Sequence, residues 1–212
     1  MREREPAIKR VIAFIDGQGL FHAAKEAFGY PFPNYDIKKL CEKICSSSKW
    51  SLDEIRFYTG VPDEADNKRW NHFWNNKLAS MGQVGITIFS RALRYNNVTV
   101  KLPGNKTHTF LVGREKGIDV RIALDIIRLA REDKYDICLL FSQDQDLSEV
   151  ADEVRIIAQQ QDKWIKIASA FPASPTYSNT RGINKTDWVK IDRKLYDSCI
   201  DPRDYRLQEN MT

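Results

Sequence analysis

The chain has 212 residues, 42% of them apolar and 29% charged, with 33 lysines and arginines against 29 acids and a net charge of +4. That balance points to one globular domain with a substantial core and excludes a disordered chain, while the positive excess is too mild to name nucleic acid as a partner by itself. No run approaches the ~20 apolar residues of a membrane span, and the charged opening MREREPAIKR lacks the apolar stretch of a signal peptide, so a soluble cytoplasmic protein with no membrane association is expected.

In chain order, RVIAFI (10–15) reads as a strand ending at Asp16, followed by a helix from Leu20 to Phe28 that Gly29 closes. YPFPNYD is a loop, and Ile37, Leu40, Cys41, Ile44 and Cys45 repeat at helical spacing over 36–46. EIRFYTG (54–60) alternates as a strand, and Pro62-Asp63 opens a helix over 63–81. Its Trp70, Phe73 and Trp74 fit a core stripe better than a base-stacking platform. VGITIFS (84–90) is a third strand. Residues 93–101 and 107–113 flank the turn signal Pro103-Gly104-Asn105 and read as a hairpin or flap. A strongly apolar helix spans 117–132, DICLLFS (136–142) reads as a strand buried on both faces, and a helix follows over 146–160. WIKIASA (164–170) is the last expected strand. A Pro/Ser/Thr-rich loop over 171–182 precedes a tail with one short helix.

Cys41, Cys45, Cys138 and Cys199 form no C-x-x-C pair and have only three histidines beside them, so packing in a reducing compartment fits better than zinc. Strands alternating with helices predict a mainly parallel sheet covered on both faces, with ligands bound beyond the strands' carboxyl ends. Three separate segments put carboxylates there: Asp16 after the first strand, Asp119 at the start of the apolar helix, and Asp144 and Asp146 after the buried strand. Carboxylates gathered in one crevice repel one another. A hard divalent cation, Mg²⁺ or Mn²⁺, resolves the conflict and suits phosphodiester hydrolysis. Each residue also has a structural reading. Asp119 complements a helix dipole, Asp146 with Glu149 matches a capping box, and Asp16 is a turn residue. Gly17-Gln18-Gly19 fails as a dinucleotide fingerprint because His22 stands at its last position. Asp144-Gln145-Asp146 also matches the D-x-D of Toprim phosphotransfer domains, a more distant option.

Three blocks together resemble a known family. FIDGQGL, KGIDVRIALDIIRLA and YDICLLFSQDQDLSEVADEV are similar to the corresponding segments of NYN domains, the LabA-like (DUF88) branch of the PIN-like nuclease superfamily, and GINKTDWVKID resembles its closing segment more loosely. The resemblance implies a PIN-like three-layer α/β sandwich over residues 1–170, with 171–212 as an extension packed on it. It further implies a metal-dependent endoribonuclease with Asp16, Asp119 and Asp144 as metal ligands and Asp146 beside them, and Asp125 as a structural or supporting acid. RNA contacts are expected from Arg91, Arg94, Arg114, Lys116 and Arg121, and a homodimer or protein partner is left open. The alternative is a catalytically impaired domain that binds RNA or assembles with protein. Three positions depart from the family pattern: Gly19 stands for asparagine, Gln143 for glycine and Leu147 for phenylalanine.

Overall fold

The computed structural model describes residues 5–104 and 106–206, so Asn105 of the expected turn and both chain ends lie outside the described residues. Among the described residues, eight strands and six helices follow one another. They are β1 (Lys9–Asp16), α1 (Gly17–Phe28), α2 (Ile37–Ser48), β2 (Trp50–Val61), α3 (Glu64–Gln83), β3 (Thr87–Ala92), β4 (Arg94–Leu102), β5 (Lys106–Arg114), α4 (Ile118–Arg131), β6 (Ile137–Phe141), α5 (Ser148–Gln161), β7 (Lys166–Pro172), β8 (Asp187–Ile191) and α6 (Arg193–Asp197). A 3-10 turn at Gln145–Leu147 leads into α5.

Six strands form one sheet in the order β3-β2-β1-β6-β7-β8, and every pairing in it is parallel. The remaining pair, β4 and β5, is a separate antiparallel ribbon. Strand parity explains the layers. Val11, Ala13 and Ile15 of β1, with Ile137, Leu139 and Phe141 of β6, pack into a core with α1, α2 and α3. Ile12 and Phe14, with Cys138 and Leu140, pack into the other core with α4 and α5. Successive side chains of a strand point to opposite faces, so a continuous apolar run serves two helical layers at once. The result is a three-layer α/β architecture.

Several helices start where an aspartate accepts a free backbone N–H: Asp16 for α1, Asp36 for α2, Asp63 for α3 and Asp192 for α6. Gly29 ends α1 with φ 82, in the left-handed region that suits glycine. Gly17 is required for a different reason. A Cβ there would lie 2.6 Å from the Phe57 ring, because α1 leaves β1 hard against β2.

Two expectations are corrected. The sheet does not end at 164–170, because β8 pairs with β7 beyond the Pro/Ser/Thr-rich loop. The Asp146–Glu149 capping box does not form. Asp144 caps the 3-10 turn instead, and α5 has no side-chain cap. Phe73 and Trp74 are buried and Trp70 packs on them, as the core reading of that stripe expects. All four cysteines are buried and free, and burial pushes the Cys45 thiol up to about 12, which suits packing and not reactivity.

Candidate functional site

The strand order reverses between β1 and β6. Connections run outward through β2 and β3 on one side and through β7 and β8 on the other. The carboxyl ends of β1 and β6 therefore flank the switch point where open α/β sheets bind ligands. Asp16 ends β1 there. Its Oδ1 accepts the Gly19 N–H at 2.8 Å, and its Oδ2 lies 3.5 Å from the Ser142 hydroxyl at the end of β6. Ser142 is buried, and its Oγ also accepts the Asp144 N–H at 3.2 Å, so one hydroxyl ties both strand ends together. Behind it the buried Ser169 hydroxyl donates to the Ser142 carbonyl at 2.9 Å.

Carboxylates from three segments meet here: Asp144 and Asp119 act on Asp16, and Asp16 and Asp119 act on Glu115. Burial pushes the Asp16 carboxyl up to about 6, with Asp144 and Asp119 adding to the rise against the lowering hydrogen bonds from Gly19 and Ser142. The residue keeps some exposed surface, but its carboxyl is enclosed. Glu115, in the link between β5 and α4, accepts the Gly60 N–H at the end of β2. Burial pushes its carboxyl up to about 7, and Asp16 and Asp119 contribute. Asp119 stands exposed in the first turn of α4, which Gly117 opens with φ 75 and no side-chain cap. Asp144 and Asp146 are exposed, and the Asp146 N–H donates to Asp144 Oδ1 at 3.0 Å. Asp146 thus sits beside the crevice, held through Asp144.

Sequence reading missed Glu115. It lies in Arg-Glu-Lys between Gly113 and Gly117, where a charged triplet looks like ordinary loop. Its partner Gly60 lies 55 residues earlier, so no local pattern announces it. A Cβ at Gly60 would come within 2.7 Å of Glu115 Oε2, and this close approach accounts for the glycine.

The basic candidates divide. Arg91 and Arg121 both stack on Phe89, each 5.1 Å from the ring centre, and Arg91 reaches over Gly117 at the head of α4. Arg91 thus stands beside the crevice, while Arg121 is also paired with Asp125 at 3.0 Å. Arg94 and Arg114 face each other at the base of the β4–β5 ribbon, and Lys116 is exposed beside Glu115. His22, exposed on α1, rests against Phe21, and His108 lies on the ribbon.

Asp125 is excluded from this set. It is buried, accepts the Tyr58 hydroxyl at 2.9 Å and pairs with Arg121 at 3.0 Å, Arg128 at 3.5 Å and Arg56 at 3.6 Å. The supporting role expected for it is structural.

Among the described residues, no three acidic, histidine or cysteine side chains are grouped closely enough to form a ready metal cage. The donor chemistry still fits a hard divalent cation. Every candidate ligand is a carboxylate oxygen, and the upward shifts of Asp16 and Glu115, owed first to burial and then to neighbouring acids, are ones a cation would relieve.

The NYN domain family matches residues 10–178. The chain belongs to the NYN domain family. NYN domains fall within the PIN-like nuclease superfamily, which agrees with the sheet and the acidic switch point. No curated protein matches. Among solved structures, a protein of unknown function from Vibrio parahaemolyticus is similar in fold, with 19% identity, a TM-score of 0.53, and coverage of 87% of this chain and 94% of that one. A teicoplanin deacetylase complex and Acinetobacter baumannii MurG are looser likenesses, with TM-scores of 0.33 and 0.32 and identities of 12% and 13%.

Within the NYN frame, two departures from the family pattern acquire physical reasons. A Cβ at Gly19 would lie 2.3 Å from Asp16 Oδ2, so the asparagine of the family pattern does not fit beside Asp16 in its capping rotamer. Gln143, in place of glycine, donates to the Arg181 carbonyl at 2.8 Å and the Asn179 carbonyl at 3.2 Å. Gln145 adds a bond to the Gly182 carbonyl at 3.2 Å. The two glutamines that alternate with Asp144 and Asp146 therefore anchor the loop before β8 along the rim of the site.

Proposed function

We propose that this NYN domain is a metal-dependent endoribonuclease of the LabA-like branch, hydrolysing RNA phosphodiester bonds with Mg²⁺ or Mn²⁺. The observation that carries the reading is the gathering of Asp16, Glu115, Asp119 and Asp144 at the switch point with two of their pKa values raised by burial and mutual repulsion. Asp16, Asp119 and Asp144 would hold the cation, with Asp146 supporting Asp144. The cation, when bound, supplies charge stabilisation at a phosphoryl oxygen and lowers the pKa of water.

The chain's own groups supply the rest. Glu115 Oε2 is occupied by the Gly60 N–H, which leaves Oε1 to take a proton from the attacking water near neutral pH. Arg91 and Arg121, fixed against Phe89, would orient the phosphate oxygens. We assign residues 171–212 to the same unit as an extension of the 1–170 domain, a reading that β8 joining the sheet supports for the described residues. The four free buried cysteines support a reducing, cytoplasmic setting. Among the described residues, no helix is long and apolar enough to cross a membrane.

One observation favours a second reading, an RNA-binding or assembly module without catalysis: Asp16 Oδ1 is committed to the α1 cap. Incubating fluorescent single-stranded and structured RNAs with Mn²⁺ or with chelator separates the two. Metal-dependent internal cleavage that disappears in the Asp16→Asn/Asp144→Asn double variant supports the nuclease. Cleavage equal in wild type and double variant sinks it.

A further inference from the structure

The β4–β5 ribbon stands outside the central sheet, and its composition is one-sided. From Arg94 to Arg114 it contains two arginines, two lysines and a histidine, and no acid. Its register sorts these residues onto faces, because directly opposed residues of an antiparallel pair share a side. Arg94 opposes Arg114, Val98 opposes Phe110, and Val100 opposes His108, all with the same parity. One face therefore carries an opposed arginine pair at its base and two rings further out, Phe110 at about 13 Å and His108 at about 20 Å. The Phe110 and His108 rings confirm the shared side by stacking, 6.1 Å apart with planes 27° from parallel. The opposite face is tied down at its base, where the Asp63 N–H donates to the Tyr95 hydroxyl at 2.9 Å. The cationic face stays open, with Arg94, Arg114, His108 and Phe110 all exposed and Phe110 at 42%.

Opposed like charges and an exposed aromatic on a thin ribbon both lower stability, so a ligand is the natural explanation for both. The ribbon also runs directly into the site, since Arg114 is followed by Glu115 and Arg94 lies two residues after β3. We propose that this face binds single-stranded RNA: bases stack on Phe110 and His108, and phosphates cross Arg94 and Arg114 on the way to the carboxylate crevice. Stacking on side-chain rings needs unpaired bases, which A-form duplex does not present. The inference rests on RNA being the substrate, as in the nuclease reading.

The experiment is fluorescence anisotropy of a labelled single-stranded oligonucleotide, and of a duplex of the same length, with the full chain in chelator so that cleavage cannot intervene. Phe110→Ala and His108→Ala are each expected to weaken single-strand binding on the order of 10-fold and to leave duplex binding unchanged. Thr99→Ala on the opposite face is expected to change neither. An Arg94→Ala/Arg114→Ala variant is expected to flatten the slope of log affinity against log salt by about 1.4, the value for two phosphate contacts on a single strand. Thermal melting of each variant separates lost binding from lost folding.

Single-strand affinity unchanged in both ring variants overturns the proposal. So does a wild-type dimer, seen by sedimentation, that Phe110→Ala dissociates, because the face would then belong to a second copy. The two readings fail separately. Wild type that binds through the ribbon yet never cleaves with Mn²⁺ sinks only the nuclease. Cleavage with an unchanged KM in Phe110→Ala sinks only the ribbon.

Discussion

One buried carboxylate on α4 and four carboxylates at the strand ends differ in nearly every physical respect. Asp125 is buried on α4 and surrounded by Arg56, Arg121, Arg128 and the Tyr58 hydroxyl. Asp16, Glu115, Asp119 and Asp144 gather at the strand ends, where the influences raising the buried pair are burial and one another. A buried acid that is fully paired holds elements together, here α4 to β2. Acids whose pKa is raised by burial and by neighbouring carboxylates work against the fold when charged, a strain that a cation or a proton relieves. Asp119 and Asp125 sit six residues apart on one helix, yet the first is exposed at its start and the second is buried and paired.

The comparison breaks most visibly at Asp125. Replacing it with alanine leaves Arg56 and Tyr58 without their buried partner. It should cost about 3–5 kcal/mol in urea denaturation. A loss under ~1 kcal/mol would put Asp125 with surface ion pairs. The crevice should respond in the reverse sense. Asp16→Asn/Asp144→Asn should cut cleavage by at least about 100-fold while the denaturation midpoint holds or rises.

Titration sharpens the contrast. Asp16 and Glu115 have folded pKa values of about 6 and about 7, above their ordinary carboxylate values of 3.8 and 4.5. The folded state therefore binds more protons than the unfolded one between roughly pH 4 and 7. Stability from this source is fully present below pH 4 and is lost as the pH rises through 7. Thermal melts in chelator should fall across that window, and Glu115→Gln should flatten the fall. Added Mn²⁺ should restore part of the loss at pH 7.5 in wild type and little in Asp16→Asn.

The smallest effect is expected at Gly19. Gly19→Asn forces Asp16 off the α1 cap, which should cost ~1 kcal/mol and free the carboxylate to face the crevice. Activity that rises while stability falls would show that capping and metal binding compete for Asp16. Unchanged stability would mean that the cap is not carried by this hydrogen bond.

Much of the fold was legible. The run of five apolar residues in β6 and the 3.6-residue repeat of α4 leave few alternatives, and the observed ends differ from the expected ones by a few residues at most. β8 was not legible, because Asp187–Ile191 is a five-residue edge strand that buries little besides Ile191. The capping box at Asp146 misled because a 3-10 turn shifts the capping aspartate two residues earlier. As candidates, Asp16, Asp119 and Asp144 could be named because each sits at a boundary between elements. Glu115 could not, because what marks it is a contact with Gly60 on another strand.

The sequence by itself determined the alternation of strands and helices, the two-faced burial of the central strands and the positions of three carboxylates at element ends. These follow from periodicity and from capping, which act over a few residues. Only the tertiary structure decided which acids meet cations and which meet other acids, why glycine and not asparagine stands at 19, and which face of the ribbon carries the arginines. Each of those depends on atoms brought within a few ångströms from segments far apart in the chain, and neither electrostatic repulsion nor a steric limit leaves a trace in local sequence.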